Sequence, residues 1–228
     1  MNPLQYAIEL MYPRLCSACF STLHVYENHI CIKCNLSLPK IALHENEQVK
    51  LDKKFWGKLN IKNTYSFLQF VKNGPVQNIL HKLKYKNSPE LANFMGKWFG
   101  NQLLTLGFDK EIDLLLAIPL HPIKQKRRGY NQADQIAEGI AEVLNIEFNT
   151  GLLIRNQFTE TQTNKSRYKR FENMEGVFSI TNMDAIKGKR IALVDDVLTT
   201  GATLEIAGGE LMKAGCSELS ILTLAAAL

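Results

Sequence analysis

An α/β fold built on a mainly parallel sheet flanked by helices is what this 228-residue sequence predicts, and three observations predict it. Ile191-Ala192-Leu193-Val194 is an apolar run bounded by charge, and Asp113 to Pro119 contains another. Runs without polar alternation suit strands covered on both faces, as in a parallel sheet. Helical-period segments alternate with these runs, which implies strand–helix–strand units. Finally, Asp195 and Asp196 follow the first run and lead into Thr199-Thr200-Gly201-Ala202-Thr203. Parallel sheets carry ligands at their strands' C-terminal ends. Two acids there are costly to bury unless something binds them. A hydroxyl-rich loop with one glycine, opening a helix, makes an anion cradle. Together they suggest a ribose bearing a 5′-phosphate, with the acids on the hydroxyls and the loop on the phosphate. A plain capped helix needs one such residue, whereas this stretch has two acids and three threonines.

In chain order, residues 1–40 read as an N-terminal helix and a cysteine segment, 41–60 as a linker and docking segment, and 61–228 as the main domain. The first residues carry Glu9 and no basic leader, unlike a signal peptide. No apolar run has bilayer length. A cytoplasmic location is therefore expected, where structural disulfides are disfavoured. The net charge of +5 permits a polyanionic partner without requiring one.

Cys16-x2-Cys19 and Cys31-x2-Cys34 form two knuckles able to set four thiolates around Zn²⁺. A redox pair or two disulfides is the competing reading. Phe20 stands where tight knuckles often use glycine. His24 and His29 read as solvated loop residues, and Cys216 as a small core residue. Phe55 and Trp56 are the large apolar pair of the docking segment.

Thr64 to Val71 is a strand, ended by Asn73-Gly74-Pro75. Val76, Ile79, Leu80 and Leu83 then line one helical face. Ser88 and Pro89 begin another helix, with Ser88 as cap and Leu91, Phe94, Met95, Trp98 and Phe99 as its stripe. The strand in Asp113–Pro119 runs into a loop bearing Lys124, Lys126, Arg127 and Arg128. A site for a polyanion such as pyrophosphate and a solvated basic loop both remain open there. Ala133, Ile136, Ala137, Ile140 and Ala141 mark an amphipathic helix, and Asn145 to Asn149 a short strand. Residues 152–178 are polar and basic and read as a loop over a site. Leu204, Ala207, Leu211 and Met212 continue the helix after the cradle to Gly215, and Ser217 to Ala225 is the last strand.

The run from Val194 through Asp195-Asp196 to Thr203 resembles the phosphoribosyl-pyrophosphate (PRPP) signature of type I phosphoribosyltransferases. More widely, the chain resembles the ComF family of competence-associated proteins. The resemblance rests on the paired knuckles, Leu83-Lys84-Tyr85-Lys86, Ile118-Pro119-Leu120-His121-Pro122 and Arg127-Arg128-Gly129-Tyr130-Asn131-Gln132-Ala133. Arg155, Thr159, Gln162, Arg170, Asn173 and Val177-Phe178 also contribute. It covers nearly everything from Cys16 to Ala227.

This resemblance implies a type I phosphoribosyltransferase-like fold with a small N-terminal four-cysteine zinc knuckle, binding PRPP with Mg²⁺. Asp195 and Asp196 would hold the ribose hydroxyls as the catalytic acids. Val197 and Thr199 to Thr203 would surround the 5′-phosphate, and Leu120 and His121 the pyrophosphate. Arg127, Arg128, Arg155 and Arg170 would contact anions, the last two in a flap from Arg155 to Asn173. A role in DNA uptake and natural transformation is implied too. Lys82, Lys84, Lys86, Lys124 and Lys126, with Tyr85 and Tyr130 as stacking faces, would serve single-stranded DNA. No residue identifies an acceptor base. Three readings therefore stay open: phosphoribosyl transfer to a nitrogenous acceptor, non-catalytic handling of single-stranded DNA, and nucleobase salvage.

Overall fold

The computed structural model of the protein describes residues 12–42, 45–156 and 176–228. Along the chain run α1 (Ile32–Ser37), α2 (Glu45–Asp52), β1 (Thr64–Gln69), α3 (Pro75–Tyr85), α4 (Pro89–Leu104) and a 3-10 turn (Phe108–Lys110). Next come β2 (Leu114–Ala117), α5 (Pro122–Arg128), α6 (Gln132–Leu144), β3 (Glu147–Asn149) and β4 (Leu153–Arg155). The last are β5 (Phe178–Ile180), β6 (Arg190–Leu198), α7 (Ala202–Lys213) and β7 (Glu218–Ala226). The helix expected at the N-terminus of the cysteine segment is not seen in residues 12–31, and residues 1–11 lie outside the described residues.

Among the described residues, five strands form one sheet in the order β1-β7-β6-β2-β3, and every neighbouring pair is parallel. β6 and β2 are the two apolar runs of the sequence, and Ile191 to Val194 and Leu114 to Leu116 are buried. One face of the sheet is covered by α3, α4, α6 and the cysteine segment, whose buried side chains share a core with Phe67, Val194 and Leu222. The other face, with Leu193 and Ile221, meets α7, Phe55 and the β4–β5 pair.

β6 runs further than its apolar part. Asp195, Val197 and Leu198 pair with Thr223, Ala225 and Ala226, so the acids lie inside the strand and not after it. Successive strand residues point to opposite faces, and Asp195 and Asp196 therefore face different layers.

The apolar stripe of α3 is buried as its period predicts, and so are Leu91, Met95 and Phe99 of α4. Ser88 does not cap α4 with its side chain; its hydroxyl donates to the Lys86 carbonyl instead. The basic stretch read as a loop is the helix α5. It starts on His121, whose Nδ1 accepts from the Ile123 amide, and ends on Gly129 at φ 87°. Nothing on α5 is buried, so it has no apolar period by which to be read. Residues 152–178 hold β4 and reach the first residue of its antiparallel partner β5. Thr159, Gln162, Arg170 and Asn173 fall between these strands, outside the described residues.

The segment after α2 lies along α7. Phe55 is buried against Gly201, and Leu59 lies against Gly208, whereas Trp56 is exposed. α4 and α6 touch through glycine: a Cβ on Gly96 would run into the Ile136 carbonyl, and one on Gly139 into the Asn93 carbonyl. Backbone cannot yield as a side-chain tip does, so Gly139→Ala should cost about 3 kcal/mol. Gly209 in α7 has nothing near its added Cβ, and Gly209→Ala should gain about 0.5 kcal/mol from helix propensity. Chemical denaturation of the two variants checks both signs.

Candidate functional site

β6 carries two carboxylates to the rim of the sheet; Asp196 pairs with a lysine, and Asp195 feels the charges of Lys84 and Arg155. Lys84, in the last turn of α3, pairs with Asp196 Oδ2 at 3.0 Å in a largely covered setting. On the other face Arg155, ending β4, lies over the Phe178 ring at 5.3 Å and exerts its charge on Asp195. Burial, and then the neighbouring Asp196, push the Asp195 carboxyl up to about 7, while the Asp196 amide, Lys84 and Arg155 oppose the rise. That amide donates to Asp195 Oδ1 at 2.7 Å. Burial also pulls the Arg155 guanidinium down, and its Nε is buried without a hydrogen-bond partner among the described residues. Asp195 aligns with Thr223, and Thr223 with Ser66. The buried hydroxyls of Ser66 and Thr223 also lack partners among the described residues, which suits ordered water.

The loop after β6 has the geometry of an anion cradle. Gly201 sits at φ 82° before α7, and its added Cβ would lie 3.0 Å from Phe55 Cε1. Glycine is thus required by both conformation and space. The first amides of α7 have no partner inside the helix, and they open beside the exposed Thr199 and Thr200. Lys54 Nζ donates to the Thr199 carbonyl at 2.8 Å, steadying the loop from outside.

A basic group gathers around Arg155. Partial burial, then the charges of Arg155, Arg128 and Arg127, pull the Lys124 ammonium below its ordinary value. These four cations, from α5 and β4, are therefore near neighbours. Leu120 and His121 form the turn between β2 and α5. Arg170 lies outside the described residues.

Three residues of the motif after α5 serve the architecture, which their sequence did not reveal. Tyr130 donates its hydroxyl to the Leu83 carbonyl at 2.8 Å, and Gln132 Nε2 donates to the same oxygen at 3.2 Å. Arg128 donates to Gln132 Oε1 at 2.7 Å. Asn131 caps α6 and donates to the Ile118 carbonyl at the end of β2. Burial pushes the Tyr130 phenol up to about 12. Its partly buried ring packs on the core, which leaves only part of that face for stacking. Tyr85 is exposed beside His81, ring centroids 4.7 Å apart, and Lys86 and Lys126 are exposed.

The four cysteine sulfurs of Cys16, Cys19, Cys31 and Cys34 all lie within 4.8 Å of one another, with Cys19 and Cys31 at 3.7 Å. A tetrahedral zinc with bonds of about 2.3 Å has sulfur–sulfur edges of about 3.8 Å, whereas a disulfide needs about 2 Å. The cysteines are free thiols that fit such an ion. Phe20, in glycine's place, adopts φ 63°. Glu27 ties the intervening loop by accepting from the His24 and Ile32 amides, each at 2.7 Å. The knuckle docks on α3 through Lys82 Nζ to Ser17 Oγ at 3.0 Å and Asn78 Nδ2 to the Ala18 carbonyl at 2.8 Å. His29 packs against Phe94 at 5.3 Å between centroids and is only half-exposed.

The phosphoribosyl transferase domain family matches residues 126–228. Competence protein F of Haemophilus influenzae is 26% identical over 222 residues, covering 93% of this chain and 96% of that protein. Competence protein ComFC of Bacillus subtilis is 29% identical over 215 residues, covering 92% and 83% respectively. DNA utilization protein YhgH of Escherichia coli is 25% identical over 151 residues, covering 64% of this chain and 65% of that protein.

The left-handed backbone at Phe20 offers a check on the knuckle. Relief of a non-glycine residue there is worth roughly 1 kcal/mol. Phe20→Gly should slow metal release to a chelator and raise the melting temperature, both measurable on the whole chain.

Proposed function

We propose that this chain, a phosphoribosyltransferase-like protein of the ComF family, binds PRPP at the end of β6. The carrying observation is that one strand–loop–helix unit joins two carboxylates to an open helix N-terminus, with a basic group alongside. Asp195 and Asp196 take the ribose 2′- and 3′-hydroxyls. The loop Thr199–Thr203, beginning after Val197 and Leu198, takes the 5′-phosphate. The turn at Leu120 and His121, with Lys124, Arg127, Arg128 and Arg155, takes the diphosphate.

Loss of diphosphate from C1 leaves an oxocarbenium-like ribose, a reaction that asks for positioning and for stabilisation of the departing anion rather than covalent help. Cations on α5 and β4 suit that need. Bound Mg²⁺ would offset diphosphate charge. Among the described residues the cysteines are the one group of three or more ligating side chains close enough to share an ion. The cysteines we assign to structural zinc. Nitrogen is the nucleophile such a site would serve. The names of the relatives, competence and DNA utilization, support a role in DNA uptake, to which our reading adds a cytoplasmic location. No helix among the described residues is long and apolar enough to cross a membrane.

Single-strand binding has one favouring observation, the exposed Tyr85 with Lys86 and Lys126. Lys82 and Lys84, which would have joined it, are engaged by Ser17 and Asp196. Binding to an oligonucleotide that weakens steeply with added salt is the expected result, and salt-insensitive or absent binding removes the DNA reading.

Asp195→Asn with Asp196→Asn should abolish PRPP binding in calorimetry while thermal unfolding stays cooperative. Unchanged affinity in that variant would refute the site assignment. A carboxyl raised to about 7 in the fold gives a definite pH signature. It is protonated below that pH, so affinity should rise as pH passes through about 7. The empty protein behaves oppositely: the Asp195 contribution to stability is full below the unfolded value of about 3.9 and is lost as pH rises through about 7. The melting shift caused by ligand should therefore be larger at pH 8 than at pH 6. Zinc content of one ion per chain, with melting of the knuckle on chelation, is the expected result for the cysteines.

A further inference from the structure

Lys84 is the functional residue whose environment the reading above leaves unexplained. Its side chain reaches from α3 to Asp196 Oδ2 at 3.0 Å, with 23% of the lysine and 11% of the aspartate side chain exposed. A lysine in the last turn of a surface helix is ordinarily solvated, and its ion pairs are worth little. Here the turn is fixed from its backbone. The Leu83 carbonyl accepts from Tyr130 and Gln132, and Arg128 holds Gln132. The Leu83 side chain is buried beneath. Polar side chains on both sides of the start of α6 thus lock the residue before Lys84 and aim its ammonium at one acid.

A diol seated on the acid pair competes with Lys84 for the Asp196 carboxylate, whose Oδ2 the ammonium holds. An ammonium leaving a shielded carboxylate is costly unless another anion receives it. We propose that Lys84 is a gating counter-ion: it occupies Asp196 in the empty site and transfers to the diphosphate when the ribose hydroxyls take the acids. The inference rests on the PRPP reading and deepens it. It makes Lys84 a residue that discriminates between ligands with and without the diphosphate. Ribose 5-phosphate competes for the same carboxylate yet brings nothing at C1 to accept the lysine.

The test is calorimetry of PRPP with Mg²⁺, and of ribose 5-phosphate, against wild type, Lys84→Met and Lys84→Arg. In Lys84→Met, PRPP affinity should fall about tenfold, the loss of one charge-assisted contact, while ribose 5-phosphate binds as well as before or tighter. Lys84→Arg should recover most of the PRPP affinity. The pH profile supplies a readout that a packing role would not move. The groups facing the acids are Lys84 from α3, Arg155 from β4 and Tyr130 ahead of α6. Removing Lys84 takes away a charge that holds Asp195 down, so the pH at which PRPP binding is lost should move upward in Lys84→Met.

Parallel weakening of both ligands in Lys84→Met would assign the lysine to packing and overturn the inference. So would unchanged PRPP affinity. Should Lys84→Met melt early, the ratio of the two affinities in Lys84→Arg decides: a ratio near wild type supports charge transfer, and a ratio shifted toward ribose 5-phosphate opposes it. Wild type binding ribose 5-phosphate and PRPP equally would also remove the inference while leaving the sugar-phosphate site intact. Failure of wild type to bind either ligand would remove the site reading and the inference together.

Discussion

Adjacent carboxylates near the end of a covered strand need opposite charge close by, or one of them keeps its proton. Much of the fold around β6 is arranged by that constraint. Strand geometry sends Asp195 and Asp196 to opposite faces, so one cation cannot serve both equally. Lys84 arrives from the helical layer, and Arg155 from the small antiparallel pair on the other side. The two layers are thereby joined electrostatically at the rim of the sheet. Asp195 remains the less compensated of the two: its cation acts at a distance, and its carboxyl is raised.

α3 links features that lie far apart in sequence. Its middle turns hold the cysteine segment through Asn78 and Lys82, and its last turn delivers Lys84 to Asp196. The basic motif after β2 sets the helix end by gripping the Leu83 carbonyl. Three pieces of the chain that resemble one family are therefore in mutual contact around one helix. Their co-occurrence has a mechanical reason as well as a chemical one.

The parts of the fold legible in the sequence are those with a period or an uninterrupted apolar run. β2, β6 and the stripes of α3, α4 and α6 declare themselves because burial leaves a repeating mark. α5 leaves none, since it buries nothing, and its residues read as a loop. The acids and the cradle are visible as residue types, but not the pairing of Lys84 with Asp196, because an ion pair between distant segments has no local signature. Tyr130 shows the same blind spot. Its aromatic face suggests a surface role, and nothing local announces that its hydroxyl bonds the Leu83 carbonyl and its ring packs partly on the core. Phe20 stands out as a missing glycine, and the backbone takes the left-handed turn regardless. The knuckle's geometry outweighs the local preference of one residue.

The position of β1 in the sheet has a consequence for how the chain is made. Its one strand neighbour in the five-stranded sheet is β7, with Thr64 opposite Ile221. A ribosome releases Thr64–Gln69 long before β7 exists, and during that interval only the edge beside Pro39 and Ile41 has hydrogen-bond partners, while the edge meant for β7 has none. Pairings between such distant segments close late and slowly. The half-built sheet would expose apolar surface and an open edge, the features that recruit chaperones or promote association. The last strand to emerge is thus the one that admits the first, and assembly of this protein is governed by its C-terminal strand.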